Sequence, residues 1–284
     1  MKKQTVSLLV LLLAASGFFF SCGNIMNKNA GALEFDSIQV NETAHLFGDT
    51  AKPACNLTLS LAFVSRSSDP KMKDSLNTYF LYACFGEQFM NMTPEEAVRK
   101  YTEKYVGDYR KDLEPMYLKD EQDKENAGEI GAWYSYYKGL ESHVQLYTGH
   151  LLVYRIDYNE YTGGAHGIYT SSFHNLDLRT LAPVRLDDLF AGEYKEQLTD
   201  LLWNQLMADN KVSTRQELED IGYATTGDLT PTENFYLGSE GITFYYNVYD
   251  IAPYVMGPVK ITLPYEVIQP LLSDDSIKIS ELRF

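Results

Sequence analysis

Five histidines, three cysteines and 39 acidic side chains are the groups in this chain with chemistry to offer. Their spacing limits which chemistry is open. His45, His143, His150, His166 and His174 include no i, i+4 pair on a helix and no His-Glu-x-x-His, so no metal site is expected. His150 and His166 are placed to meet across a sheet, where two neutral imidazoles are the simpler reading. Ser171, Ser172 and His174 lie together, but successive strand residues point to opposite faces. That leaves Ser172 and His174 on one face with no acid partner fixed by the sequence, and a polar strand face is expected. Asp177, Asp187 and Asp188 offer the paired carboxylates that glycoside hydrolysis needs at a defined separation. A glycan-acting enzyme would bring Asp177 or Asp187 into one pocket with His166. The simpler role for Asp187 or Asp188 is a helix cap. No Gly-x-Ser-x-Gly elbow, phosphate loop, dinucleotide fingerprint or calcium-loop spacing occurs, so no catalytic residue and no cofactor is assigned.

The most distinctive stretch is Tyr-Thr-Gly-Gly-Ala-His-Gly at 161–167. Gly163 and Gly164 can take the positive φ that a tight connection between strands needs. The simplest role of His166 is to lock that turn. The ligand-binding reading places a backbone concavity there, edged by the imidazole, with Tyr161, Gly163, Gly164 and His166 as candidates. Tyr249 and Tyr254, which bracket Ile-Ala-Pro, join them. Rings with one polar edge suit glycan stacking and protein interfaces. At least half of the 22 Tyr and 14 Phe are expected simply to cover the core.

The amino terminus reads as an address. Lys2 and Lys3 precede a 15-residue apolar run, 6–20, too short for a comfortable membrane span. It ends in Ser21-Cys22-Gly23, which resembles a bacterial lipobox with Cys22 as the lipidated first residue of a 263-residue mature chain. Removing Lys2 and Lys3 leaves 22 basic against 39 acidic residues, a net charge of −17. No acidic run follows Cys22, so the expectation is an outer-membrane anchor facing the periplasm. Residues 24–31 are small and polar, and 22–52 is expected to be a tether. Cys55 and Cys84 then form an even pair in an oxidising compartment, and a disulfide between a strand and a helix is expected. It would close a loop of about 30 residues and contribute roughly 3 kcal/mol.

These groups need a scaffold. The chain has 284 residues, 45% hydrophobic and 13% aromatic, which excludes disorder, and its single long apolar run excludes a polytopic membrane protein. The full-chain charge of −15 argues against a nucleic-acid partner and fits attraction of basic ones. Alternating Leu57, Leu59, Leu61 and Phe63 predict a strand over 56–64. Helical spacing predicts a helix over 71–85. The Thr-Pro-Glu-Glu capping box at 93–96 opens another that runs to about Leu113. Residues 119–131 read as a loop. Strands follow at 133–138, at 142–147 and 150–158 around Thr148-Gly149, and at 168–178. A helix is expected near 193–208, a short one near 213–220, a hairpin over 234–237 and 242–249, a strand at 259–263 and a closing helix at 264–272. The fold class is α+β: mostly antiparallel sheets flanked by helices, with a β-α-α start followed by a β-meander, a helix and β-hairpins.

Further motifs are Asn-Leu-Asp-Leu at 175–178, Leu-Asp-Asp-Leu-Phe at 186–190, Tyr-Asp-Ile-Ala-Pro-Tyr-Val-Met-Gly at 249–257 and Leu-Pro-Tyr at 263–265. With 161–167, and in that order and spacing, the chain resembles the extracytoplasmic "domain of unknown function" 3298 family. Residues 53–160 resemble its frequent N-terminal partner, 4163. Together with the leader at 1–21 and the tether at 22–52, the resemblance divides the chain into a 4163-type subdomain at 53–160, a 3298-type subdomain at 161–272 and a tail at 273–284. The same pair is similar to the outer domain of a lysozyme-sensing anti-sigma factor and to the non-catalytic region of a peptidoglycan deacetylase. It implies a binding module of the cell envelope rather than a catalyst. Its partner would be a cell-wall glycan or a basic protein such as lysozyme. A structural or assembly lipoprotein is the remaining alternative. With five residues before the apolar run and twelve after 272, neither a sigma-binding segment nor a deacetylase domain is expected.

Overall fold

The computed structural model describes residues 33–122 and 133–273, together with a two-residue strand, β1, at Phe19–Phe20. The expected lipidation site, Cys22, and the tail beyond 273 lie outside the described residues. Two strands open the body: β2, Glu34–His45, and β3, Ala54–Arg66. β2 falls within the span expected to be a tether. Its Ile38, Val40 and Ala44 are buried at alternate positions, and that pairing face was masked by the polar residues between them. Helix α1, Pro70–Phe85, starts at Asp69, whose side chain accepts the backbone N–H groups of Lys71 and Met72. Helix α2, Pro94–Gln122, starts at Thr93, whose hydroxyl accepts the Glu96 N–H at 3.2 Å.

α2 runs past the expected end at Leu113 and carries Pro115 inside it. The lost backbone bond is offset by packing. Tyr109, Leu113 and Tyr117 bury against Leu46, Cys55 and Tyr134. The two helices form the crossover between β3 and β4, Tyr136–Tyr147, and those strands pair in parallel, as a crossover requires. β5, Leu151–Tyr161, β6, Ile168–Asp177, and β7, Ala182–Pro183, follow antiparallel. The result is a seven-stranded sheet in chain order, crossing residue 160 without a break.

The second part begins with helices α3, Leu186–Leu189, α4, Tyr194–Asn210, and α5, Arg215–Asp220. Thr214 and Glu217 form the capping box of α5. A three-stranded antiparallel sheet closes the fold: β8, Phe235–Leu237, β9, Gly241–Tyr246, and β10, Val259–Pro264. One turn of helix, α6, Tyr265–Ile268, follows.

Two main cores share one strand. Leu152 and Tyr154 of β5 face the core under α1, where Tyr154 stacks on Phe80 at 3.9 Å. Leu151 and Val153 face the core built by α4 and the small sheet. β6 is joined to the small sheet through asparagine side chains, which replace backbone pairing. Ser171 N–H donates to Asn247 Oδ1 at 2.7 Å, and Phe173 N–H donates to Asn234 Oδ1 at 3.0 Å. Buried Asn175 accepts the Leu237 N–H and donates to the Phe235 carbonyl. The seam leaves the β6 edge satisfied without a flush sheet.

The expected disulfide is not formed. Cys55 and Cys84 are both free. Each sulfur belongs to a separate packing group: Cys55 lies with Tyr109 and Leu46, and Cys84 lies 3.7 Å from the Tyr154 hydroxyl. Burial pushes the Cys55 thiol up to about 11 and the Cys84 thiol up to about 12.

Candidate binding surface

The loop that joins β5 to β6 carries the first candidate group. Tyr161 ends β5, and its hydroxyl donates to the Gly164 carbonyl at 2.9 Å, closing the loop on itself. Gly163 and Gly164 have φ of +85° and +109°. A Cβ on Gly163 would stand 3.0 Å from the Trp133 carbonyl oxygen, so both the conformation and the space require glycine there. The loop presents His166 to solvent.

The second candidate group arrives from 83 residues further along the chain. The Tyr249 hydroxyl lies 3.3 Å from His166 Nε2. The Tyr254 ring stacks on the imidazole, with centroids 4.7 Å apart and planes 24° apart. Tyr249 and Tyr254 are 5.5 Å apart, and Tyr169 meets Tyr254 edge-on at 5.6 Å. Sequence reasoning missed Tyr169, whose one signal was its place three residues after His166. All the candidate residues thus form one surface, to which the loop glycines contribute backbone. Its rim includes Tyr169, Tyr249 and Val255, the last 90% exposed. Exposed Trp133 adjoins it beneath Gly163.

Tyr249 takes φ of +71°. A left-handed tyrosine costs on the order of 1–2 kcal/mol and persists only where its surroundings hold it. Here Asp250 fixes the turn by accepting the Asn247 N–H at 2.6 Å. His166 adds to its ring contacts a 3.2 Å approach of Nδ1 to the Gly167 carbonyl. The arrangement offers flat apolar faces with hydroxyl and imidazole edges, all reachable from solvent.

Other expected meetings do not occur. Asp177 binds the Arg179 guanidinium at the end of β6 opposite His166, and the ten-residue strand between them spans about 30 Å. The Asp177 carboxyl is held below its usual range by Arg179. Asp187 accepts the Tyr194 hydroxyl at 2.6 Å, and Asp188, the third residue of α3, accepts the Arg185 N–H at 2.8 Å; neither caps α4, whose N-cap is Glu193, because the pair is taken up in the short helix before it. His150 sits at the start of β5, a strand length from His166. Ser172 and His174 do share a face, with Ser172 Oγ 3.3 Å from His174 Nε2. The third member of that chain is the Tyr79 hydroxyl, 3.0 Å from His174 Nδ1 and 95 residues away in sequence. Among the described residues, no group of three or more His, Cys, Asp or Glu is placed to hold a metal ion. No described helix is long and apolar enough to cross a membrane.

The fold and its surface define an α+β protein of two sheets that shows an aromatic patch built from separated segments. Residues 187–266 match the family described as "Protein of unknown function (DUF3298)". A crystal structure of a DUF3298 family member from Bacteroides fragilis is 66% identical, with a TM-score of 0.86, covering 90% of this chain and 99% of that one. A DUF3298 family protein from Pseudomonas aeruginosa is 17% identical with a TM-score of 0.61, covering 87% and 97%, a likeness of fold alone. No curated protein matches. The chain belongs to the DUF3298 family.

Proposed function

We propose that this chain is an exported, lipid-anchored binding module of the cell envelope, and that the patch around His166, Tyr249 and Tyr254 is its ligand surface. The observation that carries the reading is the convergence of two segments 83 residues apart into one solvent-facing set of rings. Monomeric surfaces seldom gather aromatic side chains without a use for them. Strain at Tyr249, spent to hold one of those rings outward, supports the same reading. The ligand is a cell-wall glycan or a basic wall-active protein of the lysozyme kind. Stacked rings with hydroxyl and imidazole edges suit the first. The mature charge of −17 suits the second. The leader and Cys22 supply the address, an outer-membrane anchor facing the periplasm. On this reading residues 53–160 are a 4163-type unit, and the whole is similar to the outer domain of the lysozyme-sensing anti-sigma factor and to the non-catalytic region of the peptidoglycan deacetylase.

The test is a titration of the purified chain against lysozyme and against soluble wall glycan fragments, repeated at raised salt beside an unrelated basic protein of similar charge. Salt removes the attraction that any acidic chain exerts on any basic protein. The expected result is salt-resistant binding of one ligand, weakened about tenfold or more by His166→Ala or Tyr254→Ala. Folded variants that bind every ligand as the parent does would refute the site.

A further inference from the structure

A second site lies on the other face of β6. Thr170, Ser172 and His174 point to the α1 side of the sheet, away from Tyr169 and the aromatic patch. They floor a cleft of about 490 Å³, walled by Tyr79 and Tyr82 of α1 on one side and by Val184, Arg185 and Glu233 on the other. A cleft of this size admits a small molecule. Its walls come from both main parts of the fold, so the cleft exists only when they are docked.

The groups inside are arranged for recognition. Ser172, His174 and Tyr79 form a continuous hydrogen-bonded chain, Oγ to Nε2 at 3.3 Å and Nδ1 to Oη at 3.0 Å. His174 is poised by partners on both ring nitrogens, and each end of the chain is a hydroxyl that can both donate and accept. Arg185 and Glu233 line the same opening with opposite charges. The Arg185 guanidinium makes no hydrogen bond or ion pair among the described residues; the hydrogen bonds of this residue there run through its backbone, the N–H donating to Asp188 and the carbonyl accepting the Asp188 N–H. Glu233 uses one carboxylate oxygen on the Leu186 N–H at 3.3 Å. They stand one residue apart across that contact without pairing with each other. A ligand carrying both charges would satisfy both. Tyr79 and Tyr82, the latter 54% exposed, supply apolar walls for a small side chain.

We infer that this cleft binds an amino acid or short peptide with a free carboxylate and a free ammonium group. The carboxylate meets Arg185, the ammonium meets Glu233, and the peptide's polar atoms meet the Ser172 and Tyr79 hydroxyls. The site is separate from the aromatic patch and stands or falls without it.

The experiment is a calorimetric titration of the intact chain with the dipeptide Ala-Ala, run beside its N-acetylated and C-amidated forms. Imidazole proton resonances of His174 are followed in parallel to locate the binding. The free dipeptide is expected to bind saturably and to shift the His174 signals. Amidation of the carboxylate, or Arg185→Ala, is expected to weaken binding about tenfold or more. Acetylation of the amine, or Glu233→Gln, which keeps an acceptor for the Leu186 N–H, is expected to weaken it to a lesser degree. Arg185 and Glu233 are both exposed, so these variants keep the fold. Tyr254→Ala is expected to leave dipeptide binding unchanged. Absence of saturable binding overturns the inference. So does binding lost with Tyr254→Ala but kept with Arg185→Ala, or binding indifferent to both blocked termini.

Discussion

Tyr249 is the residue at which shape and use are most easily separated. Its φ of +71° suits asparagine far better than tyrosine. Tyr249→Asn should therefore keep or raise stability, by up to about 1 kcal/mol, while weakening ligand binding at the patch. Urea denaturation and the same titration measure the two effects, and a variant that loses stability would mean the turn needs the ring. Gly163 makes the opposite case. Gly163→Ala forces a Cβ into φ of +85° and to within 3.0 Å of the Trp133 carbonyl, so a loss of about 1–3 kcal/mol is expected in urea denaturation. These positions were legible because glycine pairs and ring-rich loops announce themselves. That Tyr249 and Tyr254 meet His166 was not, since nothing local encodes a contact across 83 residues. The same holds for the Tyr79 hydroxyl on His174. The cysteine pair misled for the same reason: count and compartment say that two thiols exist, not that they face each other.

At the scale of elements, alternation and capping carried most of the reading. β3, α1, β9 and the short helix α5 lie close to where the spacing put them. α2 and β2 did not, because packing decided both. Pro115 would end a free helix, yet Tyr117 finds Tyr134 at 5.2 Å and the helix goes on. The asparagine seam was also hidden, since Asn reads as a turn residue and here stands in for a strand. Asn175 is buried and bonded on both sides of its amide. Asn175→Ala should cost about 2–3 kcal/mol by leaving the Leu237 N–H and the Phe235 carbonyl unpaired. Chemical denaturation measures it, and a cost below about 0.5 kcal/mol would show that water repairs the seam.

For the whole molecule, the raised thiols and phenols set an alkaline limit. Burial raises Cys55 to about 11 and Cys84 to about 12 from an ordinary 9.0, and raises Tyr134 and Tyr265 to about 12 from 10.0. A folded-state pKa above the unfolded one means that stability is whole below pH 9 and drains as pH climbs toward 12. Thermal melts between pH 8 and 12 should fall steadily from about pH 9, with tyrosine ionisation tracking unfolding. Melting temperature at neutral pH should not respond to reductant, because Cys55 and Cys84 are unbridged. The two main cores meet on β5, whose neighbouring residues face opposite ways: Leu151 and Val153 into one, Leu152 and Tyr154 into the other. That strand ends in Tyr161, the residue that ties the His166 loop. A contact made at the patch therefore bears on a strand that carries buried residues of both cores.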